Sequence, residues 1–192
     1  AAGNEGVATR KVTVSDSLAP SLALVGDAEV THEGGSAYVD AGVTSVDSFE
    51  GDLASKVVLT GSVDTTKLGE YTLTYNVSDT TGNAAVAVTR KVTVVDTTAP
   101  VLALKGSAAT TVFKDSAYVD PGVTATDSFD GDLSSSVAVG GDNVDTGTEG
   151  VYTLTYNVSD AAGNAAVAVT RTVTVTLTPD TTVPVITLVG DA

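Results

Sequence analysis

The chain lacks cysteine, methionine and tryptophan, and only 5% of its residues are aromatic. Without cysteine there is no disulfide framework, no thiolate metal site and no cysteine nucleophile. Few aromatic side chains are available to stack on a sugar. The only histidine, His32, corresponds to Val112 in the repeat described below, which argues against zinc binding or histidine-based catalysis. We therefore expect no enzymatic activity in this chain.

Basic residues are also scarce, with 9 Lys and Arg against 24 Asp and Glu and a formal net charge of −15. This balance argues against nucleic acid and against anionic membranes as partners, and it favours cations. The apolar stretches are short and interrupted by threonine, so the sequence predicts no membrane insertion.

What the chain does contain is a repeat. Residues 19–62 match 99–142 at an offset of 80, and 63–94 match 144–175 at an offset of 81, with 50 identities in 76 pairs. A fixed period of this length indicates an array of like modules. We predict two complete domains, 16–95 and 96–176. Residues 1–15 resemble the last strand of a preceding copy, and residues 177–192 resemble the first strand of a following one.

Strand chemistry dominates both copies, because valine and threonine alternate with other residues between clusters of Gly, Asp, Asn and Ser. In the segment 71–78, Tyr71, Leu73, Tyr75 and Val77 are expected to share one face. Residues 79–83 then form a five-residue loop to a long strand predicted over 84–95. No window has a helical period with caps, so the chain is predicted to be all-β.

About seven short strands in 80 residues favour tandem immunoglobulin-like β-sandwich domains. Tyr71 and Tyr152 each follow a glycine by two residues at the start of the strongest strand, the pattern of a tyrosine corner, in which the phenol hydrogen-bonds upstream backbone. We expect Phe49 and Phe129 to close the end of each sandwich. Asp40 and Asp120 are interpreted as turn-forming residues, with structural hydrogen bonding to a backbone amide as the alternative.

Several motifs recur in a fixed order in the second copy, with equivalents in the first. They occupy residues 96–100, 116–122, 127–133, 150–164 and 171–175. This string resembles the bacterial Ig-like domain first named from an insecticidal crystal protein, which is similar in style to HYR-type modules. The first copy departs from it with Ala41 for Pro121 and Glu50 for Asp130. The resemblance implies tandem Ig-like sandwiches on secreted or cell-surface bacterial proteins, and it implies no activity.

Acidic residues are concentrated in loops that an Ig topology places at one end of the sandwich, next to the linker from the preceding domain. Hard divalent cations prefer such carboxylate and amide oxygens. We therefore predict a Ca²⁺ site at each domain junction. The predicted ligands are Asp16, Asp47, Glu50, Asp52, Asp79 and Asn83 for the first site and Asp96, Asp127, Asp130, Asp132, Asp160 and Asn164 for the second. The alternative is that Asp and Asn only favour turns here.

Three functions remain open from the sequence. The leading hypothesis is a structural tandem-repeat segment of a secreted or surface-anchored bacterial stalk, fibre or adhesin, stiffened by Ca²⁺. Its partners would be neighbouring Ig-like repeats in the same polypeptide or fibre, with a cell-surface or glycan ligand elsewhere in the protein. The alternatives are a carbohydrate- or protein-binding module and accessory domains of an exported enzyme.

Overall fold

The structure is a computed structural model that describes residues 3, 5–187 and 189–190 of the chain. It divides into two units, residues 1–96 and 97–192. Parts of both predicted terminal strands, at positions 1, 2, 4, 188, 191 and 192, lie outside the described residues.

The described residues of each unit form seven strands and one short 3₁₀ helix. In the first unit these are β1 (Ser21–Leu24), β2 (Glu29–Glu33), β3 (Val43–Asp47), β4 (Gly51–Asp52), the helix Ala54–Lys56, β5 (Val58–Thr60), β6 (Gly69–Asn76) and β7 (Val88–Val95). In the second unit they are β8 (Val101–Leu104), β9 (Ala109–Phe113), β10 (Val123–Asp127), β11 (Gly131–Asp132), the helix Ser134–Ser136, β12 (Ala138–Gly141), β13 (Gly150–Asn157) and β14 (Val169–Thr176). Neither helix, nor any other part of the described chain, offers a helical segment long and apolar enough to cross a membrane.

Two sheets form in each unit. In the first, one sheet has the order β1-β3-β4 and the other the order β2-β7-β6-β5. In the second, the orders are β11-β10-β8 and β12-β13-β14-β9. All pairings are antiparallel except β2 with β7 and β14 with β9, which are parallel. The all-β prediction and the tandem β-sandwich prediction are thus confirmed.

The core of the first unit lies between its two sheets. Leu73, Tyr75 and Val92 are buried on the four-stranded sheet, and Leu22 and Val43 pack against them from the other sheet. The alternation predicted for 71–78 is confirmed, because inward residues of β6 are buried and their neighbours are more exposed. The matching core of the second unit contains Leu102, Val123, Ala125, Leu154, Tyr156 and Val158.

Both tyrosine corners are present. The Tyr71 hydroxyl donates to the Lys67 carbonyl at 2.9 Å, and the Tyr152 hydroxyl donates to the Thr148 carbonyl at the same distance. The predicted five-residue loop is also confirmed, since Ser78 and Ala84 form an isolated antiparallel bridge that closes it.

Three details differ from the expectations. The strand predicted over 84–95 is interrupted, because residues 85–87 lie in no strand and Val86 is 87% exposed. Phe49 does not close the sandwich, because its side chain is 70% exposed in a turn held by backbone hydrogen bonds to Asp47. Residues 5–15 and 177–187, predicted as strands of neighbouring repeats, lie in no strand here. Their assignment to such repeats stays a prediction.

Candidate metal centre

Two loops of the first unit are joined beside the candidate centre. One follows β3, where Asp47 is the last strand residue, and the other is the loop 79–83 after β6. Glu50 connects them, because its Oε1 accepts hydrogen bonds from the backbone N–H and the hydroxyl of Thr80. The sequence favours this turn, since Gly51 supplies the left-handed backbone, with φ of 81°, that ends it.

Asp47 is oriented by its own loop. Its Oδ1 accepts the backbone N–H groups of Phe49 at 2.7 Å and Glu50 at 2.9 Å. The residue is only 3% exposed. Its Oδ2 is buried, and no donor in the described part of the chain reaches it. A buried carboxylate oxygen without a donor is unfavourable unless a ligand satisfies it.

Asp79 is held even more firmly. Its Oδ1 accepts the backbone N–H groups of Thr81 and Asn83 at 2.9 and 2.8 Å, together with the Thr81 hydroxyl at 2.9 Å. Its Oδ2 accepts the Asn83 side-chain amide at 2.6 Å. Burial alone would raise the pKa of Asp79, but these hydrogen bonds outweigh burial and hold that pKa below its ordinary value. The carboxylate is therefore ionised at neutral pH.

Asp16 comes from the segment that precedes β1. Its Oδ1 accepts the backbone N–H of Leu18 at 3.1 Å, and its Oδ2 is buried with no donor among the described residues. Its main-chain carbonyl lies 3.4 Å from both the Thr81 hydroxyl and the Asn83 side-chain amide, the long limit for a hydrogen bond.

These three acids converge. One carboxylate oxygen from each of Asp16, Asp47 and Asp79 lies within 4.8 Å of the others. Oxygen atoms bound to one Ca²⁺ at about 2.3–2.6 Å are at most roughly 5 Å apart, so this spacing fits a shared ion. The donor set fits as well, because Asp16 and Asp47 each have a buried oxygen that no donor in the described chain reaches.

The other predicted ligands of the first site have different contacts. Glu50 connects the loops and pairs with Lys56 at 2.9 Å, and hydrogen bonds from Thr80 and Lys56 hold the pKa of Glu50 below its ordinary value. Asp52 accepts the backbone N–H of Ala54 at 2.8 Å at the start of the 3₁₀ helix. Asn83 supports Asp79 through its amide. None of the three belongs to the carboxylate group of Asp16, Asp47 and Asp79.

In the second unit the same loops recur. Asp127 Oδ1 accepts the backbone N–H groups of Phe129 and Asp130 at 2.7 and 2.9 Å, and its Oδ2 is buried without a donor from the described chain. Asp160 accepts the backbone N–H and the side-chain amide of Asn164 at 2.7 and 2.8 Å. A carboxylate oxygen of Asp127 and one of Asp160 lie within 4.8 Å of each other.

The remaining predicted ligands of the second site are placed as follows. Asp130 Oδ2 accepts the backbone N–H of Ala161 at 2.8 Å, which connects its loop to the next. Asp132 accepts both the backbone N–H and the hydroxyl of Ser134 at 2.9 and 2.6 Å, at the start of the 3₁₀ helix. Asp96 is the last residue of the first unit and is 7% exposed.

A second polar cluster was missed from the sequence. Arg90 is 1% exposed and pairs with Asp40, which also accepts the Tyr75 hydroxyl at 2.6 Å. Other Arg90 donors reach the backbone carbonyls of Val25, Asp27 and Gly42. Asp40 also accepts the Gly42 N–H at 2.9 Å within its turn, which is a structural hydrogen bond to a backbone amide, but its pairing with the buried Arg90 was not predicted.

The second unit repeats this cluster with Arg171, Asp120 and Tyr156. Arg171 Nε lies 3.1 Å from Asp120, and the Tyr156 hydroxyl donates to the other Asp120 oxygen at 2.8 Å. The alternation of the last strand contained the signal, because Arg171 shares its face with Val173 and Val175, which are buried. An arginine at an inward position requires an acid partner, and Asp40 and Asp120 supply it in the two copies.

The fold and the repeated loops define a tandem Ig-like β-sandwich protein. The family model for bacterial surface protein, Ig-like domain, matches residues 22–94 and 102–175. The chain therefore belongs to the family of bacterial surface Ig-like domains. The more specific likeness to the insecticidal-crystal-protein type stays a prediction. No curated protein matches the sequence.

Several solved structures are similar to parts of this chain. The lipoprotein BT2262 of Bacteroides thetaiotaomicron is 32% identical, with 41% of this chain and 39% of that chain covered and a TM-score of 0.38. The M60 catalytic domain of Clostridium perfringens ZmpB with its CBM51-1 and CBM51-2 domains is 15% identical, with 81% and 30% covered and a TM-score of 0.49. The fibronectin(III)-like modules of Clostridium thermocellum CbhA are 16% identical, with 82% and 94% covered and a TM-score of 0.31. This chain thus spans well under half of the first two structures.

Proposed function

We propose that this chain is a structural segment of a secreted or surface-anchored bacterial stalk, fibre or adhesin, stiffened by Ca²⁺. In the first unit, the ion binds Asp16, Asp47 and Asp79. The observation that carries the proposal is the Oδ2 atom of Asp47, which is buried, has no hydrogen-bond donor in the described chain and belongs to a group of three converging carboxylates. The role is mechanical and not catalytic, and its partners are neighbouring Ig-like repeats.

Ca²⁺ is the cation that this donor set favours. Ca²⁺ accepts six to eight oxygen ligands in a flexible geometry, whereas Mg²⁺ requires a near-ideal octahedron and usually keeps several waters. Here the carboxylates come from three separate parts of the chain, which suits the less demanding ion. Three carboxylates within 4.8 Å repel one another without a counter-charge, and a divalent cation removes that repulsion.

The expected stabilisation is modest but mechanically useful. Extracellular Ca²⁺ modules typically bind with Kd of ~10⁻⁴–10⁻³ M. At a free concentration 100 times Kd, one site adds about 2.7 kcal/mol to the free energy of unfolding. This amount stiffens the loops of a small domain without being required to form its core.

Titration calorimetry with CaCl₂ tests the proposal, with Asp47→Asn and Asp52→Asn as matched variants. The amide introduced by Asp47→Asn still offers an oxygen to the backbone N–H groups of its loop but has lost the charge that a cation needs. Asp52 is five residues from Asp47, at the end of β4, and lies outside the three-carboxylate group. We expect Asp47→Asn to weaken Ca²⁺ binding by about an order of magnitude or more, and Asp52→Asn to leave it close to that of the unmodified chain.

Two results would overturn the Ca²⁺ site. One is a calorimetric titration with no binding heat, together with an unfolding temperature that chelator does not change. The other is equal weakening in the Asp47 and Asp52 variants, because general acidity of the surface would then explain the binding.

The second repeat offers the same pair of loop carboxylates, Asp127 and Asp160, and the sequence assigns Asp96 to it as the third ligand. That second site stays a prediction. Asp127→Asn in the same titration measures it directly. If both sites bind, each of Asp47→Asn and Asp127→Asn removes one equivalent of Ca²⁺ and leaves the other.

Recognition of a small neutral ligand is a second candidate function, favoured by a cavity of about 310 Å³ in the second unit. Tyr118, Ser107, Thr110 and Arg171 are among its lining residues, and Arg171 is neutralised by Asp120. A volume near the lower limit for ligand sites suits a single sugar residue. NMR titration with monosaccharides tests this candidate site. The control is the double variant Ser107→Asp/Thr110→Ser, which changes two residues that line the cavity. Chemical-shift changes that fail to saturate, or that persist in this control, exclude the site.

A further inference from the structure

Among the three carboxylates of the first site, Asp47 and Asp79 are fixed by the fold and Asp16 is not. Asp47 and Asp79 each accept at least two backbone N–H groups of their own loops at 2.7–2.9 Å. Asp16 accepts one, from Leu18, within the same short segment. The first two are therefore in place before any cation arrives.

The segment that carries Asp16 has few other attachments. Residues 5–20 lie in no strand. The side chains of Val7, Val12, Val14 and Leu18 are 87, 73, 79 and 62% exposed. Pro20, directly before β1, is buried, but no apolar burial holds residues 5–19 against the sandwich. Asp16 is less exposed than the residues on either side of it, and its carbonyl contacts with Thr81 and Asn83 are long, at 3.4 Å.

We infer that the cation attaches the segment before β1 to the first sandwich, with Asp16 as the ligand that arrives and leaves. This inference rests on the proposed Ca²⁺ site. Without the cation, the charges of Asp47 and Asp79 repel Asp16, and two long hydrogen bonds oppose that repulsion weakly. With the cation, all three carboxylates share one counter-charge, and the segment is held beside the two loops.

The consequence is regulation by the external Ca²⁺ concentration. The site does not alter the sandwich, because its two fixed ligands are already oriented by backbone hydrogen bonds. Cation binding instead changes how firmly the segment before β1 is held against the sandwich. A local change in charge thereby has a larger mechanical effect. A Ca²⁺-loaded chain therefore has a stiffer entry into its first domain than a Ca²⁺-free chain.

The absence of cysteine makes a direct test simple, because one introduced cysteine gives one labelled position. A spin label on Ser15→Cys, next to Asp16 and exposed, reports on the segment, and a label on Ser62→Cys, exposed between β5 and β6, is the control. We expect saturating Ca²⁺ to slow the motion of the Ser15 label severalfold and chelator to reverse this. The Ser62 label should not respond.

Asp16→Ala in the Ser15-labelled chain completes the experiment, with calorimetry on the same sample. We expect this variant to bind Ca²⁺ more weakly and its label to stay mobile. Binding heat without any change in the motion of the Ser15 label would overturn the attachment and leave the Ca²⁺ site standing. Unchanged affinity in Asp16→Ala would also overturn it. No binding heat in the unmodified chain would reject the site and the attachment together.

Discussion

The two repeats keep the same acids at the candidate cation site but connect the surrounding loops differently. The retained acids are Asp47 and Asp79 in the first repeat and Asp127 and Asp160 in the second. Each has the same backbone hydrogen bonds in both units, and Oδ2 of both Asp47 and Asp127 is buried without a donor from the described chain. The backbone contacts in this part of the loop are thus the same in the two units, and the difference is the Thr81 hydroxyl, which also reaches Asp79 and has no equivalent at Ala162.

The contacts between the loops are not kept. Glu50 reaches both the backbone and the hydroxyl of Thr80 and also pairs with Lys56. Asp130 is one methylene shorter, and its loop contact is the single backbone N–H of Ala161. The comparison separates two kinds of acid. The converging acids are aspartates in both repeats. The acid that connects the loops differs, because Glu50 contacts Thr80 in the first repeat and Asp130 contacts Ala161 in the second.

The buried cores show a similar contrast in smaller detail. Arg90 pairs with Asp40 through a terminal guanidinium nitrogen, whereas Arg171 pairs with Asp120 through Nε. Tyr75 and Tyr156 donate to the same acids in both units. A buried arginine, an acid and a tyrosine thus persist as a set although their individual bonds differ.

The largest expected effect comes from breaking these arginine pairs. Arg90→Ala leaves Asp40 without its charge partner and opens space in the core, and we expect it to lower the stability of the first repeat by about 3–5 kcal/mol. Arg171→Ala should do the same to the second. Urea unfolding followed by NMR resolves the two repeats separately.

Arg90→Lys is the control for charge, because lysine keeps the positive charge but not the planar fork that reaches several acceptors. Substantial recovery by lysine would show that charge alone matters. A loss below about 1 kcal/mol in Arg90→Ala would contradict a structural role for the pair.

An intermediate effect is expected in acid. Burial tends to raise the pKa values of Asp79 and Asp160, but hydrogen bonds centred on Asn83 and Asn164 lower both of them on balance. A folded-state pKa below the unfolded value gives stability that is complete above the unfolded pKa, about 3.9, and is lost as pH falls through the folded pKa. Both repeats should therefore lose stability below about pH 4.

Asp79→Asn and Asp160→Asn test the source of this loss by thermal unfolding from about pH 2 to 7. The difference between each variant and the unmodified chain should shrink as pH falls, because the protonated acid has lost its advantage over asparagine. A difference that stays constant with pH would mean that other groups control the acid response.

The smallest effect should come from the tyrosine corners, where the two repeats are alike. Tyr71→Phe removes one hydrogen bond to the Lys67 carbonyl and should lower stability by about 1 kcal/mol. Tyr152→Phe removes the equivalent bond to Thr148, and chemical denaturation should show the same direction of change. If one substitution raised the stability of its repeat and the other lowered it, the two corners would differ in energy although their hydrogen bonds have the same length.

Local patterns in the sequence predicted the local structure well. Alternation in 71–78 predicted the buried face of β6, a glycine two residues before Tyr71 predicted its corner, and the turn residues of 79–83 predicted a five-residue loop. Each of these depends on residues that are neighbours in the chain.

Contacts between distant residues were predicted less well. Asp40 lies 50 residues from Arg90, and nothing in the sequence around Asp40 indicates an ion pair rather than a turn. The loop acids were correctly expected to lie near one another, but the sequence did not distinguish Asp47 from Asp52. Only the folded loop shows that Asp47 Oδ2 is buried without a donor from the described chain and that Asp52 accepts the N–H of Ala54, the first residue of the 3₁₀ helix.

The sequence by itself determined the repeat, the all-β class, the excess of acid and its concentration in loops, because composition, period and alternation are properties of the chain alone. The tertiary structure decided which acids converge and which arginines are buried. Convergence depends on distances between residues 16, 47 and 79, which only the packing of two sheets and their loops sets. For the same reason, buried pairs far apart in sequence become visible only after folding.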